Sequence, residues 1–345
     1  MALTEIEENI LKSIKVPSED QPDKPEFPPD NPHWPSTPTK KISVPGFNNV
    51  YLKDESVNPT GTHKDRMAWE MVVTYKRLLE SKKAGRIEEL PRMSIISSGS
   101  AANAVQQMFK KYNLPNLKVL IDYRTKKEIK NGLEKIGCEI YETDLSKSVL
   151  STNDILEITN NINGIDITSD ISLGPFDVFY DWMSYEIFNE TADYVFIPYG
   201  TGNLYENIVN IAVKEAKNLF FHDKRLKTDP KHIKNCNFLG ATTNNPNTKA
   251  DKLYSPHRPF VHFDTRWIKL AIQKGYIGAE SNVFIIQEIY LDKAMEIARG
   301  NRVDCEPSGI AGLALMLQIE DKLPKDRKML IINTGKTIFP ERTIN

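Results

Sequence analysis

Lys64 stands in the stretch NPTGTHKDRMA, residues 58–68, where a loop runs into a helix. The N-terminal end of a helix carries partial positive charge, so the dipole disfavours an ammonium there and favours the neutral amine. Burial acts in the same direction. A neutral amine is a nucleophile, and a lysine so placed suits a Schiff base with a carbonyl compound. Thr60 or Thr62 is the expected cap of that helix. The bland alternative is a lysine reaching into solvent from the first turn. A second stretch able to do chemistry is GTGNL, formed by Gly200, Thr201, Gly202, Asn203 and Leu204. A glycine-rich turn leading from a strand into a helix exposes several backbone N–H groups, and these bind phosphate without a lysine. Glu206 stands where a dinucleotide-binding fingerprint has its third glycine. The turn therefore reads either as a phosphate cradle of another kind or as a tight turn without a ligand.

The elements that must position these residues alternate between short β-branched runs and helical stretches. NVYLKD gives a strand, after which Met67, Met71, Tyr75 and Leu79 recur every four residues, the spacing of one helix face. MSIIS and KVLIDY bracket a second helix with Ala102, Val105, Phe109 and Tyr112 in register, and CEIYET follows a third. DYVFIPYG leads into an amphipathic helix expected from about residue 204 to residue 224. NFLGATT, NVFIIQE and MLIINTG supply later strands. Parallel neighbours need a crossover connection, so this alternation implies an α/β protein with parallel sheets flanked by helices. Ligands of such sheets bind beyond the carboxyl ends of the strands. Four loops fall there: NPTGTHK, SSGSAAN, YGTGNLYEN and NTGKT, expected to converge although they span the whole chain.

Composition excludes several classes. The net charge of −1 over 345 residues removes the basic surface a nucleic-acid partner would need. Cys138, Cys236 and Cys305 are few and far apart, so no disulfide framework or metal cluster is expected, and the chain reads as reduced and cytoplasmic. His222, His232, His257 and His262 share no metal-ligand spacing. No apolar run reaches the roughly 20 residues of a membrane span, and the acids Glu5, Glu7 and Glu8 are unlike a leader. Residues 1–40 form an extended, proline-rich arm, either a disordered tail or a strap over the domain or a partner subunit, with Phe27 and Trp34 as anchors. The segment 222–234 reads as a solvated loop, with anionic-substrate binding as its alternative. Lys126, Lys127 and Lys130 read as an exposed helix face. The segment 244–259 is a lid over the active site or only an insertion.

The segments KDESVNPTGTHKDR, SSGSAANA, PYGTGNL, EPSGIAGLA and NTGK, in that order, resemble the fold-type II pyridoxal 5'-phosphate enzymes of the tryptophan synthase β-subunit superfamily. Within it the chain looks nearest to threonine synthase, on the element N-P-T-G-x-x-K-D-R. The resemblance covers about residues 35–340 and implies two α/β domains, with parallel-rich sheets flanked by helices and the cofactor in the crevice between them. The expected division is 41–185 for the domain carrying the Schiff-base lysine and 186–345 for the domain carrying the phosphate loop.

By this resemblance Lys64 would be the Schiff-base lysine and the base at the substrate Cα. Gly200, Thr201, Gly202, Asn203 and Leu204 would hold the cofactor phosphate, and Thr334 would face the pyridine nitrogen. Ser98, Gly99, Ser100 and Ala101 would cradle the substrate carboxylate. CEPSG, Cys305 to Gly309, matches the family's glutamate-proline-serine turn, whose helix borders the cofactor. Two positions depart from the pattern. Ser100 replaces the asparagine that bonds the cofactor's phenolic oxygen, a role that Asn103 one turn on could take, and His63 replaces an aromatic residue. A neutral hydroxyl at Thr334 cannot hold the pyridine nitrogen protonated as a carboxylate would, which favours loss of a leaving group over transamination. The implied activity is elimination or replacement at Cβ or Cγ of an amino acid, threonine synthase-like. A cysteine synthase-like replacement, a serine or threonine dehydratase, and a non-catalytic sensor that keeps the cofactor are the alternatives. The family's habit implies a homodimer.

Overall fold

The computed structural model describes residues 3–14, 34–168, 179–218, 222–254 and 266–339. Its first elements are α1 (Glu5–Ser13), β1 (Thr39–Lys41), β2 (Val50–Asp54), α2 (Lys64–Lys83), β3 (Met93–Ile96) and α3 (Ser100–Lys111). Next come β4 (Lys118–Asp122), α4 (Lys127–Ile136), β5 (Glu139–Thr143), α5 (Thr152–Ile158), β6 (Ile165–Asp166) and α6 (Asp181–Asn189). The rest are β7 (Tyr194–Pro198), α7 (Asn203–Lys217), α8 (Lys231–Asn235), β8 (Asn237–Thr242), α9 (Arg266–Gln273), β9 (Asn282–Ile285), α10 (Glu288–Gly300), α11 (Ala311–Gln318) and β10 (Met329–Asn333).

The chain forms two units, one of Met1–Pro35, Lys64–Phe179 and Phe339–Asn345, the other of Ser36–His63 and Tyr180–Ile338. This division differs from the expected 41–185 and 186–345. The reason is a pairing across almost the whole sequence: β2 lies parallel to β10, with Val50 opposite Met329 and Asp54 opposite Asn333. That pairing places Ser36–His63 in the second unit.

In the first unit the sheet order is β5-β4-β3-β6, all parallel. Met67, Met71, Tyr75 and Leu79 of α2 are buried, as their spacing requires. Tyr75 meets Phe109 of α3 edge to face at 5.0 Å, a pairing worth about 0.5–1.5 kcal/mol beyond area burial. The expectation of a purely extended arm over residues 1–40 needs correction. Residues 5–13 are helical because Thr4 and Glu7 form a capping box, and Glu7 also pairs with Lys82 at 2.6 Å. Trp34 reaches Trp69 of α2 with ring centroids 6.2 Å apart. Phe27 lies outside the described residues.

The second unit's sheet runs β1-β2-β10-β7-β8-β9, parallel except for β1. β7 and β10 are buried at every position, as the continuous apolar runs of a sheet covered on both faces must be. Seven of the eight residues of α11 are buried; a helix apolar all round belongs inside. α7 ends at Lys217, short of the expected residue 224, with Asn218 in extended conformation as its C-cap. The segment 222–234 is more than a solvated loop: it contains the first four residues of α8, and the Arg225 guanidinium lies 4.3 Å from the centre of the Tyr185 ring. Lys126 and Lys127 are exposed, while Lys130 is partly covered and pairs with Glu142 at 2.8 Å. No helix among the described residues is long and apolar enough to cross a membrane.

Candidate active site

In the first unit, α2 begins at Lys64 itself. Thr62 forms a β-bridge with Gly335 in the second unit's loops. Burial pushes the Lys64 amine down to about 8 from its ordinary 10.5. At neutral pH a small but real fraction is therefore unprotonated, as a nucleophile requires. The turn after β3 is shaped by Ser97, whose hydroxyl oxygen accepts from the N–H of Gly99 at 3.1 Å and of Ala102 at 3.2 Å. Ser97 is not among the residues that the sequence singles out, because it lies two residues before Gly99, the N-cap of α3, outside the usual capping position. Ser98 is exposed, Gly99 is the buried N-cap of α3, and Ser100 and Ala101 are its first, partly covered residues. Asn103 is wholly buried, and its Oδ1 accepts from the Gln107 amide at 2.9 Å.

In the second unit, three of the four chemistry-bearing loops leave neighbouring strands, because β10 lies between β2 and β7. The fourth leaves β3 in the first unit's sheet. β10 pairs with β7 through Ile331 opposite Phe196; Thr334 is the first residue after β10, and Gly200 the second after β7. Thr334 is buried, its N–H donates to the Gly309 carbonyl at 3.0 Å, and its own carbonyl accepts from the N–H of His63 at 3.2 Å. His63, ordered by that bond and by the Tyr180 ring 5.3 Å away, is the residue that precedes Lys64.

Gly202 is the N-cap of α7 with φ 94°, and a Cβ there would meet the Tyr199 hydroxyl at 2.8 Å. Only glycine suits both the left-handed backbone and that contact. Asn203 and Leu204 open the fifteen-residue helix, Thr201 is exposed, and Gly200 is partly covered. Glu206 folds back over the turn, where its carboxylate accepts from the Tyr199 hydroxyl at 3.3 Å. Burial and this carboxylate raise the Tyr199 pKa far above the usual phenol range, so the hydroxyl stays a donor.

Cys138, Cys236 and Cys305 are buried free thiols whose pKa values burial pushes up, to about 12 at Cys138 and Cys305. They are poor nucleophiles. His222 bonds the buried Glu215, and His232 the Ala192 carbonyl; His257 and His262 lie outside the described residues.

A two-unit α/β chain with parallel sheets, a desolvated lysine at a helix start and a glycine turn opening another helix defines the class. The family model described as "Pyridoxal-phosphate dependent enzyme" matches residues 33–335, and the chain belongs to that family. No curated protein matches it in sequence. The solved O-ureido-L-serine synthase is similar with a TM-score of 0.61 at 15% identity, covering 87% of this chain and 89% of that one. A fungal L-serine ammonia-lyase from Rhizomucor miehei gives 0.57 at 16%, covering 88% and 94%. An O-acetylserine dependent cystathionine beta-synthase from Helicobacter pylori gives 0.56 at 14%, covering 98% and 96%. At these identities the likeness shows the fold.

The cofactor is pyridoxal 5'-phosphate, and the residues fit it. The Lys64 amine, lowered to about 8 by burial, has an unprotonated fraction able to condense with an aldehyde. The turn at Gly202 leaves no room for a side chain and ends at a helix N-terminus, the surroundings a phosphate needs.

Proposed function

We propose that the protein is a pyridoxal 5'-phosphate-dependent lyase or synthase that eliminates or replaces a group at Cβ or Cγ of an amino acid, with threonine synthase-like chemistry. The observation that carries this reading is Thr334, a buried neutral residue at the end of β10 beside the strand that leads into the glycine turn. The bound cofactor supplies an electron sink for bond breaking at the amino-acid Cα. Lys64 Nζ anchors the cofactor aldehyde and then moves the proton at the substrate Cα. Gly200, Thr201, Gly202, Asn203 and Leu204 bind the phosphate through backbone N–H groups. Ser98, Gly99, Ser100 and Ala101 bind the substrate carboxylate at the start of α3, and Asn103 and Ser100 orient the ring's phenolic oxygen. The Thr334 hydroxyl leaves the ring nitrogen without the negative partner that would keep it protonated, so prompt loss of a leaving group outruns transamination. The turn GTGNL, close to the cysteine synthase glycine loop, favours β-replacement at the same site as the second reading.

The test is to purify the protein, record its visible absorption, and add serine, threonine or phosphohomoserine while measuring ammonia, keto acid and phosphate release. Phosphate release from phosphohomoserine supports threonine synthase-like chemistry; release from serine or threonine alone supports the dehydratase or replacement reading. Lys64→Ala should lose the absorption band with the fold intact. A lysine-linked band surviving in that variant would remove Lys64 from the role. A homodimer belongs to the proposal and is read by sedimentation.

A further inference from the structure

The sequence reads segment 244–259 as a polar stretch, a lid or an insertion, and residues 244–254 of it are described. In the second unit the residues from Lys252 on are built into the loops just described. The Lys252 backbone carbonyl lies against Gly200, where a Cβ would come within 2.7 Å of it. The Lys252 N–H donates to the Ser308 hydroxyl at 3.1 Å. Its side chain is mostly covered, and its ammonium donates to both carboxylate oxygens of Glu306 and to the Thr337 hydroxyl, each at 2.5 Å. The turn that carries Glu306 is strapped in turn to the end of β10: Glu306 N–H donates to the Gly335 carbonyl and Thr334 N–H to the Gly309 carbonyl. Leu253 is buried, so the segment is anchored on its apolar side as well.

One residue thus touches three loops: the glycine turn through its carbonyl, the EPSG turn through its N–H and ammonium, and the segment after β10 through Thr337. Charge-assisted bonds of this length are the strong ones, and their geometry is more specific than that of a surface pair. The carbonyl against Gly200 adds the condition that the backbone at Lys252 cannot shift toward the turn without disturbing it.

We infer that Lys252 is a positioning residue for the cofactor's phosphate turn, holding the backbone at Gly200 in its binding shape by clamping segment 244–254 to Glu306 and Thr337. This rests on the phosphate role given above to Gly200, Thr201, Gly202, Asn203 and Leu204. The experiment measures affinity of the apoprotein for pyridoxal 5'-phosphate and the apoprotein Tm, for wild type, Lys252→Met and Lys252→Arg. Lys252→Met should bind at least tenfold more weakly at an unchanged Tm, and Lys252→Arg should recover most of the loss. Equal affinity in Lys252→Met overturns the inference. So does a loss of affinity that tracks an equal loss of Tm and is not rescued by arginine, since that describes a structural prop. A wild type that binds no cofactor sinks the proposed function instead. Amide exchange in the apoprotein then decides the clamp by itself: Leu253, whose N–H bonds the Ala250 carbonyl, and Ile310, whose N–H bonds that of Glu306, should exchange at least tenfold faster in Lys252→Met, and equal exchange overturns it.

Discussion

Asn333 Nδ2 donates to Asp54 Oδ1 at 2.9 Å, tying the ends of β10 and β2 together inside the second unit. Both residues are buried. The same amide also donates to the Asp304 carbonyl at 2.9 Å, and its oxygen accepts from Gly335 N–H at 3.0 Å. Asp54 meanwhile accepts from the Ser56 hydroxyl at 2.6 Å and from Lys40 at 2.8 Å. The loop that leads to His63 and the loop that carries Thr334 therefore start from one hydrogen-bonded pair. Asn333→Leu strips the pair and leaves Asp54 and Gly335 short of partners. A buried group left unsatisfied costs about 1–3 kcal/mol, so urea unfolding should show a loss in that range. A loss under half a kcal/mol would show that water or a shifted loop replaces the amide.

How far this arrangement could be foreseen depends on whether its cause is local. The face of α2 was legible because Met67, Met71, Tyr75 and Leu79 repeat within one helix, and β10 because four apolar residues, Met329 to Ile332, run together before Asn333. The pairing of β2 with β10 joins residues 279 apart in sequence, and no window on either strand reveals it. The expected domain boundary failed to place Ser36–His63 for that reason. β1, inside the proline-rich arm, has no apolar alternation; it forms because Lys40 and its neighbours pair with β2. Among site residues, Lys64 and the glycine turn announce themselves by type and spacing. Lys252 does not: Glu306 and Thr337, which give it a purpose, lie 54 and 85 residues further on.

Gly202 offers a local test of the phosphate turn. Replacing it with alanine forces an L residue to φ 94° and drives a Cβ toward the Tyr199 hydroxyl. The backbone component alone costs about 1–2 kcal/mol, and the collision must be relieved by moving the N-terminus of α7 or the Tyr199 ring. The expected outcome is a protein that still folds, loses that much stability by denaturant titration, and binds pyridoxal 5'-phosphate on the order of tenfold more weakly, equivalent to ~1.4 kcal/mol. Wild-type affinity in this variant would place the phosphate elsewhere.

The Lys64 amine makes a prediction in pH. Its pKa is lowered to about 8 by burial, against 10.5 ordinarily. Between those values the unfolded apoprotein binds more protons than the folded one, so stability rises with pH across that window. Below pH 8 both states are protonated and the folded chain bears the full cost of a buried ammonium. Lys64→Met removes the titration. The variant's advantage over wild-type apoprotein should be largest below pH 8 and shrink steadily toward pH 10, measured by denaturant unfolding without cofactor. A difference that stays constant from pH 7 to 10 would mean that the amine is solvated.

In the proposed function Thr334 sets the type of reaction, and Thr334→Asp tests that role. A carboxylate beside the ring nitrogen would favour its protonated form, because an opposite charge nearby stabilises the cation. The electron sink is then stronger and reprotonation away from the leaving-group path gains ground. Pyridoxamine 5'-phosphate formed per turnover should rise on the order of tenfold, a shift of ~1.4 kcal/mol between two competing barriers. Thr334→Ser, which keeps the neutral hydroxyl, should leave the ratio where it is. Because Thr334 is held to Gly309 and His63 through its own N–H and carbonyl and not through its side chain, neither substitution removes a partner that the loop depends on. A folded Thr334→Asp protein with an unchanged product ratio would show that this side chain does not reach the ring nitrogen, and the preference for elimination or replacement would need another cause.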